Sequence, residues 1–350
     1  MLLFSAYLRE SGSGGAVVRG LEVRLASRPV GAAAPENFAF VHADVPEVDE
    51  GQVLVRNTWM SVDPFTREWM HAQTYGPRFE LDTVLSGGAV GEVIASRVPS
   101  IPVGTTVSHF SGWREYAVLD AAEATRIDTA LAPPETYLGA LGTTGLTAYA
   151  ALSQVVPVRP GDVVYISAAA GAVGTVAGQL ARRLGAAKVI GSTSGPVKAK
   201  RLTDDFGFDV GIDYREDRLV EQLVEAAPGG IDSSLDLVGG DHLAAAIRAS
   251  RHGGRIGLIG AISTYDATGP VPGPTNLFSA YAKELTSRGL LITSFFGLAG
   301  EWTERAAGWI ADGSLRTEHT VFDGLEQAPA AFLSLMRGGN VGKMLVRLDS

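Results

Sequence analysis

The sequence predicts an α/β protein: a doubly wound parallel sheet in the C-terminal two thirds, joined to a smaller antiparallel, barrel-like unit. Three observations carry this. The chain has 350 residues, more than one ordinary core holds when domains run to roughly 150 residues. From residue 52 to about 119, short apolar runs are separated by frequent turn residues, the pattern of small antiparallel sheets. Beyond about residue 133 strands alternate with helical patterns, a rhythm that predicts a parallel sheet. Apolar residues make up 46% and charged residues 19%, so the chain can bury a large core.

In the first part, residues 52–57, 91–98 and 106–108 read as strands. They are divided by Gly87-Gly88, Pro99-Ser100-Ile101-Pro102 and Ser111-Gly112. The second part supplies six expected strands, at 163–169, 188–193, 210–214, 233–238, 255–261 and 290–296. Between the first two lies a helix over 172–184. Val173, Val176, Leu180 and Leu184 share one face of it, and Gly185 is its stop signal. From about residue 317 the chain ends in Gly342-Lys343-Met344-Leu345-Val346-Arg347, read as a strand returning to the first unit. The expected domains are therefore 1–133 with 317–350, and 134–316 between them.

Charge and missing residue types narrow the function. A net charge of -9 without any basic cluster argues against nucleic acid, whose phosphates demand concentrated Lys and Arg. The absence of cysteine removes disulfides, thiol catalysis and Cys-ligated zinc, and fits a reducing compartment. None of the six histidines is spaced as a local metal-binding pair, so no metal is expected. Residues 1–8 form too short an apolar stretch for a signal peptide. The uncharged runs 136–158 and 163–181 are rich in Gly, Thr and Ser and broken by turn signals, unlike the ~20 predominantly apolar residues of a membrane span. The expectation is a cytoplasmic protein without membrane contact.

The first strand of the second part runs into Ala169-Ala170-Gly171-Ala172-Val173-Gly174 and then directly into the helix. This is the G-x-G-x-x-G loop with alanine at its first glycine. Gly171 lets backbone approach a pyrophosphate, Gly174 lets helix meet strand, and the helix N-terminus offers unpaired N–H groups. The strand–loop–helix context predicts a Rossmann dinucleotide site. An NAD site places an acid about 20 residues further on. Here that position falls near Ser192-Thr193-Ser194-Gly195, which has no acid, and Lys198, Lys200 and Tyr214-Arg215 follow. Loss of the carboxylate and gain of cations favour a 2′-phosphate, hence NADP.

Other catalytic patterns are missing. No tyrosine is followed four positions later by lysine, and no G-x-S-x-G elbow occurs. A nicotinamide site with neither metal nor an evident strong acid suits hydride addition to the β-carbon of an α,β-unsaturated ketone or aldehyde. The developing enolate then needs one hydrogen-bond donor. Tyr265, just beyond the fifth expected strand, is the candidate, because ligands of open α/β sheets bind outside the carboxyl ends of strands. Quinone reduction, turnover of a specialised metabolite and non-catalytic dinucleotide binding are the alternatives.

Several ordered motifs resemble one group. They are Arg56-Asn57-Thr58-Trp59-Met60-Ser61-Val62-Asp63-Pro64, Leu146-Thr147-Ala148-Tyr149, the glycine loop, Asp213-Tyr214, Gly260-Ala261-Ile262-Ser263-Thr264-Tyr265 and Gly339-Asn340-Val341-Gly342-Lys343. Over nearly its whole length the chain resembles the zinc-independent medium-chain dehydrogenase/reductase branch of prostaglandin, alkenal double-bond and curcumin reductases. The resemblance implies a GroES-like N-terminal barrel completed by the C-terminal tail, an active cleft between the domains, and a homodimer with its interface near 290–296. It also implies that Lys198 and Tyr214 hold the 2′-phosphate, that Tyr265 and Asn340 line the cofactor site, and that Thr147 sits near the nicotinamide. Trp59, Met60, Phe295 and Phe296 would shape the apolar pocket for a small-molecule substrate. Two departures from the family pattern stand out. Leu237 replaces an asparagine that offers the cofactor a hydrogen bond, and Thr143-Thr144 replaces Met-Pro.

Overall fold

A computed structural model describes residues 18–71 and 76–348; the stretch 1–8 discussed above lies outside them. The N-terminal part opens with a hairpin of β1 (Arg19–Leu25) and β2 (Phe38–Asp44). Then come β3 (Gln52–Ser61), β4 (Ala89–Ser96), β5 (Thr106–His109), β6 (Tyr116–Asp120) and β7 (Thr125–Arg126). The parallel-sheet part contains β8 (Val163–Ile166), β9 (Lys188–Thr193), β10 (Val210–Asp213), β11 (Ile231–Asp236), β12 (Ser250–Leu258) and β13 (Thr286–Gly289). The tail adds β14 (His319–Asp323) and β15 (Lys343–Arg347).

The six strands β10-β9-β8-β11-β12-β13 are parallel throughout. Counted within this part the order is 3-2-1-4-5-6, that of a dinucleotide-binding doubly wound sheet. Alternation along β8 shows why both faces need cover. Val164 and Ile166 join a core with Val176 and Leu180 of the helix Ala172–Arg183. Tyr165 joins another core with Leu223, Ala245 and Ile247 of the helices on the opposite face.

The expected strand at 290–296 is corrected. The sixth strand is β13, four exposed residues pairing with the edge of β12, and Ile292–Leu298 forms 3-10 turns packed partly against the core. The apolar run reads as a strand by hydropathy, but the neighbouring backbone chooses the polar segment before it.

In the N-terminal part, β14-β15-β3-β4-β5-β7 form one sheet, with β6 also on β3. The returning strand is therefore found: β15 pairs antiparallel with β3, Val346 opposite Met60. The sheet is not purely antiparallel, since β14 and β15 run parallel. The tail also touches the other sheet. The Gly342 N–H donates to the Ala170 carbonyl at 2.8 Å, and a cleft opens along the carboxyl ends of the parallel strands, walled on one side by the tail and by the residues that follow β3.

Candidate active site

The cleft measures about 1240 Å³ and is lined by residues just past β8, β9, β11 and β12: Ala168, Ser194, Leu237, Val238, Ile259 and Gly260. That is the crevice where the strand order reverses. The glycine loop forms its floor. A methyl on Gly174 would lie 2.6 Å from both Cα and O of Ala169, so only glycine lets helix and loop meet there. Gly171 is different: a Cβ there would meet only the Ala168 carbonyl, at 3.2 Å, leaving its open side to the cleft. Gly171 caps the helix Ala172–Arg183 without any side-chain hydrogen bond, and the first-turn N–H groups lack intrahelical acceptors. Ala168 holds the left-handed region, with φ 46°, a strained conformation concentrated at functional turns.

The alanine at the loop's first position is explained by its neighbour. Ala169 is fully buried and does not line the cleft. Its methyl faces Gly191 of β9, where an added Cβ would come within 2.6 Å of it. Gly191, without a side chain, leaves room for that methyl.

At the β9–β10 end, Lys198, Tyr214, Arg215 and Arg337 face the cleft. The Lys198 ammonium is held by the carbonyls of Gly338 and, at 2.6 Å, Asn340, so carbonyl oxygens rather than a carboxylate meet its charge. Burial and then the nearby Arg215 cation hold its pKa below the ordinary lysine value. A half-buried cation beside another cation is a setting that an anion relieves. Tyr214 packs edge-on against His242, ring centroids 4.8 Å apart. His242 in turn sits within hydrogen-bond reach of Tyr165 and Ser192, and burial lowers its pKa to about 4. Lys200 points elsewhere, pairing with Asp204 in solvent.

The centre and the β12–β13 end are built differently. Asp236 accepts from the N–H groups of Val238 and Gly239 and from Ser167 Oγ at 3.0–3.2 Å, fastening the turn that presents Leu237 to the cleft. Burial pushes its pKa up against those hydrogen bonds. The Leu237 N–H donates to Ser167 Oγ at 2.8 Å, while its side chain offers the cleft only carbon. Thr147 is buried and lines the cleft with Thr144; its hydroxyl donates to the Thr143 carbonyl at 2.7 Å. Asn340 also lines it, its amide turned to the Gly342 carbonyl at 2.7 Å. Tyr265 stands here with Phe65, Ile262, Leu290, Leu291 and Ile292.

The structure thus brings Gly171, Ala172, Val173, Gly174, Thr147, Lys198, Tyr214, Tyr265 and Asn340 to one cleft. It does not bring Trp59, Met60, Phe295 or Phe296, which are absent from the lining. Met60 is fully buried in the core beneath β3. Trp59 packs on another cluster with Arg347 5.9 Å above its ring. Phe295 packs partly on the core, and Phe296 is exposed. The apolar wall is instead Phe65, Ile262 and the segment 290–292. Sequence reading also missed a largely buried pair in the same lining: Lys343 Nζ donates to Asp63 Oδ1 at 2.5 Å and to the Val62 carbonyl at 3.0 Å. Both residues belong to motifs quoted above, but only the β15–β3 pairing joins them. Among the described residues no group of three or more His, Asp or Glu side chains converges as metal ligands would, and no helix is long and apolar enough to cross a membrane.

Comparison with known proteins agrees with this geometry. Residues 22–127 match a family described as the N-terminal domain of oxidoreductase, and 172–312 one described as zinc-binding dehydrogenase. NADPH-dependent curcumin reductase of Escherichia coli is 34% identical over 93% of this chain and 95% of its own. Prostaglandin reductase 1 of Sus scrofa is 33% identical over 95% of this chain and 100% of its own. The crystal structure of CurA in complex with NADPH from Vibrio vulnificus superposes with a TM-score of 0.89, at 35% identity, over 94% of this chain and 99% of that one.

Proposed function

The chain belongs to the medium-chain dehydrogenase/reductase family, with the curcumin and prostaglandin reductases, and from that premise we propose that it reduces the conjugated C=C bond of α,β-unsaturated ketones and aldehydes. It is an NADP-dependent oxidoreductase. The residues present fit that cofactor. The Gly171–Gly174 turn gives a pyrophosphate backbone N–H groups at close range, and Lys198 with Arg215 and Tyr214 gives a 2′-phosphate two cations and a phenol. When bound, NADPH supplies the hydride.

One observation carries the reading: the cleft that holds Lys198 past β9 also holds a phenol past β12, Tyr265, with Phe65, Ile262, Leu290, Leu291 and Ile292 in the same lining. Strand order sets this polarity, because β10 and β13 are the two edges of the sheet. Phe65, Ile262 and Ile292 exclude water from the reacting carbons, which strengthens any hydrogen bond formed there. The Tyr265 O–H donates to the substrate carbonyl oxygen as hydride reaches the β-carbon and negative charge gathers on that oxygen. The α-carbon then takes a proton from Tyr265 or water.

The test follows NADPH consumption by purified protein with alkenals, alkenones, saturated aldehydes and quinones, using cofactor deuterated at the transferred position. The expected product is saturated at C=C, keeps its carbonyl and carries deuterium on the β-carbon. No turnover of any conjugated acceptor sinks the reading, and quinone turnover exceeding every enone redirects it to quinone reduction. The reading extends to domain limits of 1–133 with 317–350 and 134–316. It also includes a homodimer across the open edge of β13, beside the exposed Leu277, Phe278 and Tyr281. A monomeric sedimentation mass at micromolar concentration removes the dimer.

A further inference from the structure

Arg67 has no exposed surface, and a guanidinium without water is tolerated only when its charge and donors are met. Its carboxylate partner comes from the other sheet region: Nε donates to Asp266 Oδ1 at 2.9 Å. A second nitrogen donates to the Gly31 carbonyl, in the loop after β1. One helical turn beyond Arg67, the Nε2 of His71 lies 3.0 Å from the backbone carbonyl of Tyr265 and 3.2 Å from Arg67 Nη1. One ring nitrogen cannot do both at once: the tautomer with hydrogen on Nε2 donates to the Tyr265 carbonyl, and the other accepts from Arg67.

The loop these two side chains grip is fastened on its own side through Ser263. Ser263 bonds the Val238 carbonyl through both its N–H and its hydroxyl, upstream of Tyr265. The N–H groups of Thr264, Tyr265 and Ala267 and the Thr264 hydroxyl bond within the turn itself. The next two positions are therefore anchored across the cleft, Tyr265 at its carbonyl and Asp266 at its carboxylate, both to the segment Phe65–His71. That segment also carries Phe65 into the cleft wall. Asp266 is the only carboxylate partner of Arg67 among the described residues, so this contact joins the segment to the loop that carries Tyr265.

We propose that Arg67 and His71 are positioning residues that set Tyr265 for catalysis, so that the phenol is in place only when the two domains are docked. This rests on the catalytic role proposed for Tyr265. The experiment introduces Asp266→Asn and His71→Ala, separately, into the native enzyme and into Tyr265→Phe, measuring kcat, KM for an alkenone, NADPH affinity and melting temperature. Asp266 is partly exposed, and Asp266→Asn keeps a hydrogen-bond acceptor toward Arg67, so the fold survives. In the native enzyme each substitution is expected to lower kcat by about tenfold, with NADPH affinity and KM within about twofold. In the Tyr265→Phe enzyme the same substitutions change kcat by less than about twofold, because residues acting through a shared partner are non-additive. Full additive losses in both backgrounds, or no kcat loss in the native one, overturn the proposal. Unchanged turnover in Tyr265→Phe alone instead overturns the role of Tyr265, a distinct result.

Discussion

The two ends of the cleft use different materials. At the phosphate end the work falls to backbone: a strained Ala168, an open Gly171, a crowded Gly174 and the first turn of one helix, all within seven consecutive residues. At the proposed substrate end it falls to side chains delivered from distant segments: Phe65 from the N-terminal part, Tyr265 from the turn after β12, Ile292 from beyond β13. Where function lies in backbone shape, one wrong side chain blocks binding. Where it lies in a side chain, substitution spares binding and strikes turnover.

The sharpest way to break this contrast is Gly174→Val. With a Cβ already 2.6 Å from Ala169 Cα and O, the branched side chain forces helix and loop apart. Overpacking of this kind costs about 1–3 kcal/mol or more, and calorimetric titration should find no saturable NADPH binding, with a lowered melting temperature. Native-like affinity in that variant would remove the close-approach argument. Tyr265→Phe comes next, with the opposite signature. Loss of one charge-stabilising donor lowers kcat on the order of 10²-fold, while NADPH affinity measured by fluorescence stays nearly unchanged. A variant that lost affinity rather than turnover would move Tyr265 to the cofactor.

Lys198→Ala sharpens the comparison from the phosphate end, where Lys198, with Arg215, is asked to act by its charge. A charge-assisted hydrogen bond contributes roughly 1.5–3 kcal/mol, or about 10- to 100-fold in affinity, so NADPH binding should weaken far more than NADH binding. A modest NADH loss is also expected, since Lys198 ties the Gly338 and Asn340 carbonyls of the tail to the parallel-sheet domain. Equal losses for both nucleotides would assign Lys198 to the tail alone.

The smallest effect concerns stability. Burial lowers the pKa of His109 to about 3 and of His242 to about 4, from 6.5. The unfolded chain therefore binds more protons than the native one across that interval. The stability contributed by these neutral rings is full above pH 6.5 and drains away as pH falls toward 4 and 3. Melting temperatures between pH 6.5 and 5 should fall, and His242→Gln should flatten the slope. An unchanged slope would mean that other groups govern it.

Much of the phosphate end was legible because its causes are neighbours in sequence. The Ala169–Gly174 turn, the acid-free Ser192–Gly195 stretch and Lys198 could be read directly, and the cleft holds Gly171, Gly174 and Lys198. The substrate wall was not. Trp59 and Met60 sit in a motif beside Val62 and Asp63, but the pleat of β3 turns Met60 into the core while the lining passes to the residues after the strand. Phe295 and Phe296 follow an apolar run that resembles a strand, yet the hydrogen bonds of β12 go to Thr286–Gly289, a segment with no hydropathic signal.

What the amino-acid order determined by itself is what nearest neighbours decide: alternation of strand and helix, the glycine turn, the absence of thiolate ligands, and the preference for an extra phosphate. Only the tertiary structure decided which carbon side chains wall the substrate end, that Lys343 lies on Asp63, and that Arg67 reaches Asp266 beside the catalytic candidate. The physical reason is range. Dihedral preference and helix capping act within a few residues, whereas a buried charge finds its partner wherever packing brings one close, and spacing along the chain carries no record of that meeting.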